Sequence, residues 1–230
     1  MLKLIFFDME GTIFKKAVPL NKTNVAPSAW YLIAEGLGPE ALKEEKKTQD
    51  KSNNGKYSGY IEWMEETIMI HKKYRLTREI FFKVIDSIDY NNGVKEVFSK
   101  INNKNIPTCL ISGGFKNQAD KAVRDLKIKH SFIACEYFWD KDGLLYHWNL
   151  LPGDNQGKLA FMKMLIAEYG ISNANCAFVG DGDNDVTIAK EVGISIAFNA
   201  QEKLRQVATY SIEQPDGSED FKSILKYLDM

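Results

Sequence analysis

Six short apolar runs, separated by stretches with helical periodicity, constrain the fold of this chain more than any other feature of its sequence. The runs are LIFF (4–7), PTCLI (107–111), FIACEYF (132–138), CAFVG (176–180), ISIAF (194–198) and TYSI (209–212). Their hydrophobicity is continuous rather than alternating, which is typical of strands buried on both faces in a parallel sheet. Helical patterns at 94–105, 117–127, 158–170 and 185–193 lie between several of them. This alternation predicts an α/β fold with a doubly wound parallel sheet.

The segment from residue 15 to residue 88 has a different pattern. It contains helical periods at 27–38, 39–51, 60–74 and 77–88 and no convincing strand. We predict that residues 15–88 form a small helical cap domain inserted into a core domain of residues 1–14 and 89–230. KSNNGKYSG (51–59) is expected to be a loop between two cap helices. The Asp-Gly pair in WDKDGLLYHW (139–148) predicts a β-hairpin.

Composition narrows the class of protein. The chain has 230 residues, of which 44% are hydrophobic and 27% charged, with a net charge of −1. Such a charge favours neither nucleic acid nor an anionic membrane as a partner. The first apolar run ends at Asp8, too early for a signal peptide, and no stretch is long enough to span a bilayer. Three cysteines without CxxC spacing fit buried thiols in a reducing compartment, so we expect a cytoplasmic protein. Separately, we expect a monomer or a homodimer.

Polar residues follow several of the predicted strands at their carboxyl ends, where parallel α/β sheets bind ligands. Asp8 and Glu10 follow the first strand, and Lys158 begins a later helix. Ser112, Gly113 and Gly114 follow the second strand, and Asp181, Gly182, Asp183, Asn184 and Asp185 follow a later one. Any one of these groups fits an ordinary loop, whereas all of them at one edge of a sheet predict a site.

The motifs DMEGT (8–12), ISGG (111–114), Lys158 and GDGDND (180–185) resemble, in this order, those of the haloacid dehalogenase superfamily of phosphatases. Their spacing is similar to that of the phosphoserine phosphatase-like subfamily. The resemblance implies a Rossmann-like core with a cap. It also implies Mg²⁺-dependent hydrolysis of a small phosphomonoester through an aspartyl-phosphate intermediate.

The same resemblance implies a role for each motif residue. Asp8 is the expected nucleophile, Glu10 the expected acid and base, and Lys158 the group that neutralises the phosphate. Ser112 and the amides of Gly113 and Gly114 are expected to bind phosphate, and Asn184 to orient phosphate or lysine. The expected Mg²⁺ ligands are Asp8, the carbonyl of Glu10, Asp181 and Asp185, the last nearby or through water. Asp183 matches a variable position.

The cap departs from the phosphoserine phosphatase pattern. The position of a substrate-binding glutamate in that family falls on Ala17, and helix 60–74 contains Glu62, Glu65 and Glu66 but no arginine. A substrate carboxylate would lack a bidentate partner, so we expect phosphoserine to be poorly matched.

The cap aromatics Trp30, Tyr60 and Trp63 allow two interpretations. They could bind a cationic leaving group, as in phosphocholine or phosphoethanolamine. The simpler expectation is that they pack the cap against itself and that the glutamates form a solvated face. His71 and His130 are expected at the surface or at helix ends.

Two further functions stay open at this level. Glu10 matches the DxEGT motif of enolase-phosphatases, although their serine motif differs from SGGF. A binding protein that kept the fold without catalysis is the other alternative, and an intact set of Asp8, Lys158 and the two metal acids argues against it.

Overall fold

The computed structural model describes residues 1–16, 28–215 and 217–229. Its seven strands are β1 (Leu4–Phe7), β2 (Thr108–Phe115), β3 (His130–Trp139), β4 (Leu145–Leu150), β5 (Cys176–Gly180), β6 (Ile194–Phe198) and β7 (Tyr210–Ile212). They form one sheet in the order β4-β3-β2-β1-β5-β6-β7, in which only the β3–β4 pair is antiparallel. The doubly wound fold expected from the sequence is confirmed.

Nine α-helices lie within the described residues. They are α1 (Ala29–Leu37), α2 (Pro39–Asn53), α3 (Tyr60–Lys73), α4 (Arg78–Asp86), α5 (Val94–Asn103), α6 (Lys116–Leu126), α7 (Asn155–Tyr169), α8 (Val186–Ala189) and α9 (Glu202–Val207). None of the helices in the described ranges is long and apolar enough to cross a membrane.

Both faces of the sheet are buried, which explains the continuous apolar runs. In β1, Ile5 and Phe7 face one hydrophobic cluster, which also contains residues of the cap helices and α5. Leu4 and Phe6 face a second cluster built with α7 and α8. All four side chains are fully buried, so a polar residue at any of them would lose its hydration without a hydrogen-bond partner.

The helices α1 to α4 form the cap and follow β1 in the chain. The chain returns to the core beside its point of departure, since Phe14 forms a β-bridge with Tyr90. The limits of the cap at residues 15 and 88 remain a prediction.

An aromatic cluster joins the cap to the core. Trp30 of α1 lies against Phe115 of β2, with ring centroids 4.3 Å apart. Phe81 of α4 lies 5.5 Å from Tyr137 of β3. Such aromatic pairs add roughly 0.5–1.5 kcal/mol each beyond the burial of area, so the cap is held on the core by packing.

The structure corrects several local predictions. Helix α2 continues to Asn53, so residues 51–53 do not belong to the loop, because no helix-breaking residue occurs before Gly55. The polar SGG segment lies within the last residues of β2 rather than after the strand. The helix predicted at 185–193 is one 3-10 turn, Asp183–Asp185, followed by the short α8. The hairpin at 139–148 is confirmed as β3 and β4, with Gly143 at positive φ in its turn.

Candidate active site

Three neighbouring strands bring the sequence motifs to one edge of the sheet. β1 lies between β2 and β5, and all three run parallel. Asp8 therefore emerges next to Ser112 on one side and Asp181 on the other. This is the position where the winding of the sheet changes direction, and where α/β folds form a crevice.

Lys158 connects two of the carboxylates. Its Nζ donates hydrogen bonds to Asp8 Oδ1 at 2.6 Å and to Asp185 Oδ1 at 2.7 Å. The lysine side chain is fully buried, and the N-terminal turn of α7 places it there, with Asp154 as the N-cap. Burial lowers the pKa of Lys158, but the charges of Asp185 and Asp8 outweigh this and raise the pKa above its usual range. The buried ammonium therefore stays charged and paired.

Asp185 uses both of its oxygens inside the protein. Oδ1 accepts from Lys158, and Oδ2 accepts from the backbone amides of Asp181 and Gly182 at 3.2 and 3.1 Å. This arrangement holds the loop after β5 in shape, and it favours an indirect role for Asp185 at the metal.

Asp181 lies close to the turn that follows β1. Its Oδ1 accepts a hydrogen bond from the Thr12 hydroxyl at 3.2 Å, and its Oδ2 lies 3.1 Å from Lys16 Nζ. Gly11 has a φ of 79°, and a β-carbon there would lie 2.3 Å from Asp181 Oδ2. Only glycine fits this turn without strain, because the conformation is left-handed and the carboxylate fills the space.

The donor set fits a hard divalent cation. Asp8, Asp181 and Asp185 each offer a carboxylate oxygen, and these atoms lie within 4.8 Å of one another. Oxygen ligands of this kind suit Mg²⁺, which binds one or two carboxylates and keeps several waters. Burial raises the pKa of Asp8 and of Asp181, and a bound cation would oppose that rise.

The end of β2 forms a small cradle. Ser112 is buried, and its Oγ accepts a hydrogen bond from the Gly114 amide at 3.1 Å. The pairing of β2 with β3 shifts register between Ser112 and Phe115, which leaves Gly113 and Gly114 outside the regular ladder. Helix α6 begins at Lys116, so its N-terminal turn lies beside the cradle, an arrangement that favours an anion.

Glu10 bridges the core and the cap. Its Oε2 accepts a hydrogen bond from the Ala29 amide at the N-terminus of α1, at 3.2 Å. Its Oε1 is buried and has no hydrogen-bond partner among the described residues. A β-carbon added at Gly114 would lie 2.7 Å from that oxygen, so Oε1 points towards the cradle. Burial raises the pKa of Glu10 to about 7, a value suited to a group that gives and takes protons near neutral pH.

One predicted position, Asn184, lies apart from this network. Asn184 is half-buried, and its Oδ1 lies over Gly182 rather than at Lys158. Ala17 falls outside the described residues.

A family model described as haloacid dehalogenase-like hydrolase matches residues 2–193. The chain belongs to this family. The match covers all four motifs and the whole cap, so the similarity is not confined to one loop.

Similar members of the family include phosphoserine phosphatases. That of Streptococcus thermophilus is 31% identical over 61% of this chain and 65% of its own length. That of Methanocaldococcus jannaschii is 27% identical over 98% of this chain and 97% of its own length. A solved structure described as a phospho-aspartyl intermediate analogue of phosphoserine phosphatase has a TM-score of 0.78 and 25% identity, covering 98% of both chains. The chain thus spans just under two thirds of the streptococcal relative.

Sequence reasoning missed Lys16 and misplaced two cap aromatics. Lys16 contacts Asp181 and also donates to the Asn199 carbonyl. Trp30 and Tyr60 donate to the core at the Gly113 carbonyl, so they do not simply pack the cap against itself. Trp63 behaves as expected, since its Nε1 donates to Thr48 within the cap. Lys16 belongs to none of the motifs, and the only signal for it in the sequence is its position shortly after DMEGT (8–12).

Proposed function

We propose that this member of the family is a Mg²⁺-dependent phosphatase of a small phosphomonoester, acting through a phosphorylated Asp8. The observation that carries the proposal is the buried ammonium of Lys158, which is bonded both to Asp8, directly after β1, and to Asp185, in the 3-10 turn after β5. A buried cation at such a place supports charge neutralisation of a phosphoryl group.

The substrate phosphate binds between β1 and the cradle. The Ser112 hydroxyl and the amides of Gly113 and Gly114 contact its oxygens, and Lys158 supplies a positive charge. Asp8, Asp181 and the Glu10 carbonyl would hold Mg²⁺, with Asp185 nearby or acting through water, and the bound ion would neutralise further negative charge on the phosphate. Asp185 keeps Lys158 in place.

In the first step, an oxygen of Asp8 attacks phosphorus, and the bond from phosphorus to the leaving oxygen breaks. Glu10 gives its proton to that oxygen, so an alcohol departs and Asp8 carries the phosphoryl group. The raised pKa of Glu10, about 7, supports this role because it keeps the carboxyl protonated up to neutral pH.

In the second step, water replaces Asp8 on phosphorus. The ionised Glu10 takes a proton from the water, the water oxygen attacks phosphorus, and the bond to Asp8 breaks. Inorganic phosphate leaves, Asp8 regains its carboxylate, and Glu10 is protonated again. In this proposal a single carboxyl, that of Glu10, serves both steps.

A small phosphorylated metabolite fits the cytoplasm, where we place the protein as a monomer or homodimer without a nucleic-acid partner. The known activity of the phosphoserine phosphatases supports a phosphoester substrate. The cap sequence does not support phosphoserine itself. A phosphomonoester with an amine-containing leaving group, such as phosphocholine or phosphoethanolamine, is the alternative that the cap residues suggest.

Hydrolysis of an aryl phosphate tests the proposal directly. We expect phosphate release that requires millimolar Mg²⁺ and that falls at least about 10³-fold in Asp8→Asn, because the nucleophile is lost. Asp183→Asn is the matched control: this carboxylate lies in the same loop as Asp181 but pairs with Lys203 at the surface, at 2.9 Å. It should keep most of the activity.

A substrate panel separates the alternatives. It should include a diketo phosphate, for the enolase-phosphatase alternative, and several simple phosphomonoesters. If Mg²⁺ supports no turnover of any of these compounds, the proposed function is wrong and a binding role becomes the better interpretation.

A further inference from the structure

The carbonyl oxygen of Gly113 is the point at which the cap contacts the cradle. Tyr60 Oη, at the start of α3, donates a hydrogen bond to it at 2.9 Å. Trp30 Nε1, in α1, donates to the same oxygen at 3.3 Å. Two helices of the cap therefore converge on one backbone atom of the core.

The Gly113 carbonyl can accept these hydrogen bonds because it lies outside the regular β2–β3 ladder. The register shift between Ser112 and Phe115 takes Gly113 out of the regular pairing with β3. Glycine is also needed for the approach: a β-carbon at Gly113 would lie 2.9 Å from Tyr60 Oη and 3.3 Å from the Gly153 carbonyl. Both cap side chains thus rest against bare backbone.

A fixed carbonyl fixes the amide on the other side of the same peptide. In a trans peptide the C=O of one residue and the N–H of the next point in opposite directions, and the described residues contain no cis peptide. The peptide between Gly113 and Gly114 directs its oxygen to the cap and its N–H to Ser112 Oγ. The orientation of this peptide therefore determines where the Gly114 amide and the Ser112 hydroxyl lie.

We propose that Trp30 and Tyr60 are positioning residues that orient the Gly113–Gly114 peptide for phosphate binding whenever the cap rests on the core. The proposal rests on the assignment of this cradle as the phosphate site of a phosphatase. It adds that the cap acts on the phosphate end of the substrate through the backbone, in addition to any contact with the leaving group.

Binding of inorganic phosphate isolates this effect, because phosphate has no leaving group for the cap to contact. The variants are Tyr60→Phe, which removes one hydroxyl, and Trp30→Phe, which removes the indole N–H. We expect each to weaken phosphate binding by about fivefold to tenfold, the usual effect of losing one hydrogen bond. The measurements are calorimetry with Mg²⁺ present and inhibition of aryl phosphate hydrolysis by phosphate.

Trp63→Phe is the matched control. It lies on the same helix as Tyr60, is half-buried, and donates its indole N–H to Thr48 Oγ1 within the cap. It should change phosphate affinity by less than about twofold, since general loosening of the cap does not reorient the peptide. Thermal unfolding of all three variants checks that they are folded, and Tyr60→Phe carries the test if Trp30→Phe does not fold.

Two results would overturn the proposal. One is unchanged phosphate affinity in Tyr60→Phe. The other is an equal loss in Trp63→Phe, which would assign the effect to cap packing. Turnover of aryl phosphate by the unmodified protein is measured in parallel, so failure of the proposed function is recognised separately from failure of this coupling.

Discussion

Glu10 is one methylene longer than an aspartate, and its carboxyl lies between the cap and the core. Its side chain is long enough for Oε2 to reach the first amide of α1, while Oε1 stays over Gly114. One oxygen accepts from the cap amide, and the other has no hydrogen-bond partner among the described residues, so the proposed mechanism assigns the transferred proton to this second oxygen. A shorter aspartate at this position would reach less far towards the cap amide. In the proposed mechanism, the glutamate therefore links proton transfer to the position of α1.

His71 lies in the last turn of α3, one of the two places that its sequence pattern predicts, but it does not lie at the surface. It is fully buried between cap and core, with Nδ1 2.9 Å from Tyr137 Oη. Burial lowers the pKa of His71 to about 3. The sequence could not reveal this, because α3 ends in HKKY and the neighbouring lysines are exposed.

This pKa predicts a stability loss in acid. Below pH 6.5 an unfolded chain protonates His71 while the folded protein does not, so the unfolded state binds more protons and the free energy of unfolding falls as pH decreases towards 3. From pH 6 to pH 5 we expect a loss of about 1.2 kcal/mol from this residue alone. Urea unfolding of the unmodified protein and of His71→Gln measures it, since the variant lacks this term.

The matched control is His147→Gln, on the exposed edge strand β4. It should lose stability between pH 6 and pH 5 as much as the unmodified protein does. If His71→Gln keeps the same pH dependence as well, His71 is not the buried neutral histidine that the structure indicates.

At the scale of elements, the sequence predicted the strands better than the ends of the helices. Continuous apolar runs identified all six parallel strands, and the Asp-Gly pair identified the β3–β4 hairpin. The helix predicted at 185–193 is shortened mainly at its C-terminal end, because α8 ends at Ala189. Beyond it, the Gly193 amide donates to the distant Asn173 carbonyl at 2.9 Å, a contact that the helical pattern of the sequence does not reveal.

The ion pair between Lys16 and Asp181 affects metal binding at the candidate site. Lys16 Nζ lies 3.1 Å from Asp181 Oδ2, and both side chains are mostly buried, at 15% and 13% exposure. Because the ammonium competes with a cation for Asp181, we expect Lys16→Met to bind Mg²⁺ about fivefold more tightly or better. Calorimetric titration with Mg²⁺ in the absence of substrate measures this without relying on activity.

Lys15→Met is the control for that titration. Lys15 is adjacent in sequence but exposed, so its removal changes the net charge equally without freeing Asp181. Mg²⁺ affinity should stay within about twofold of the unmodified protein, since exposed charges are screened. Weaker Mg²⁺ binding in Lys16→Met would mean that the lysine supports the site and does not compete for it.

At the scale of the whole molecule, the winding of the sheet explains why four distant motifs could be assigned to one site. Parallel strands send their carboxyl ends to the same edge, so strand assignment alone placed Asp8, Ser112 and Asp181 together. The cap side of the site was less predictable. Contacts such as that of Trp30 with Gly113 depend on how the cap docks, and no periodicity in the sequence records this.

The composition of the cap leads to a prediction about substrate choice. Within residues 15–88 the arginines are Arg75 and Arg78, and both are exposed. O-phosphoserine and phosphoethanolamine share the phosphate and the amine and differ only in the carboxylate. An enzyme with a paired cation for that carboxylate favours phosphoserine by roughly tenfold to a hundredfold, because such a hydrogen bond contributes about 1.5–3 kcal/mol.

Without such a partner, we expect kcat/KM for phosphoserine to be no higher than for phosphoethanolamine. The measurement is phosphate release from both compounds at equal Mg²⁺, with Asp8→Asn as the blank for contaminating phosphatase. A tenfold preference for phosphoserine would contradict the prediction and would require a carboxylate-binding group that these arginines do not provide.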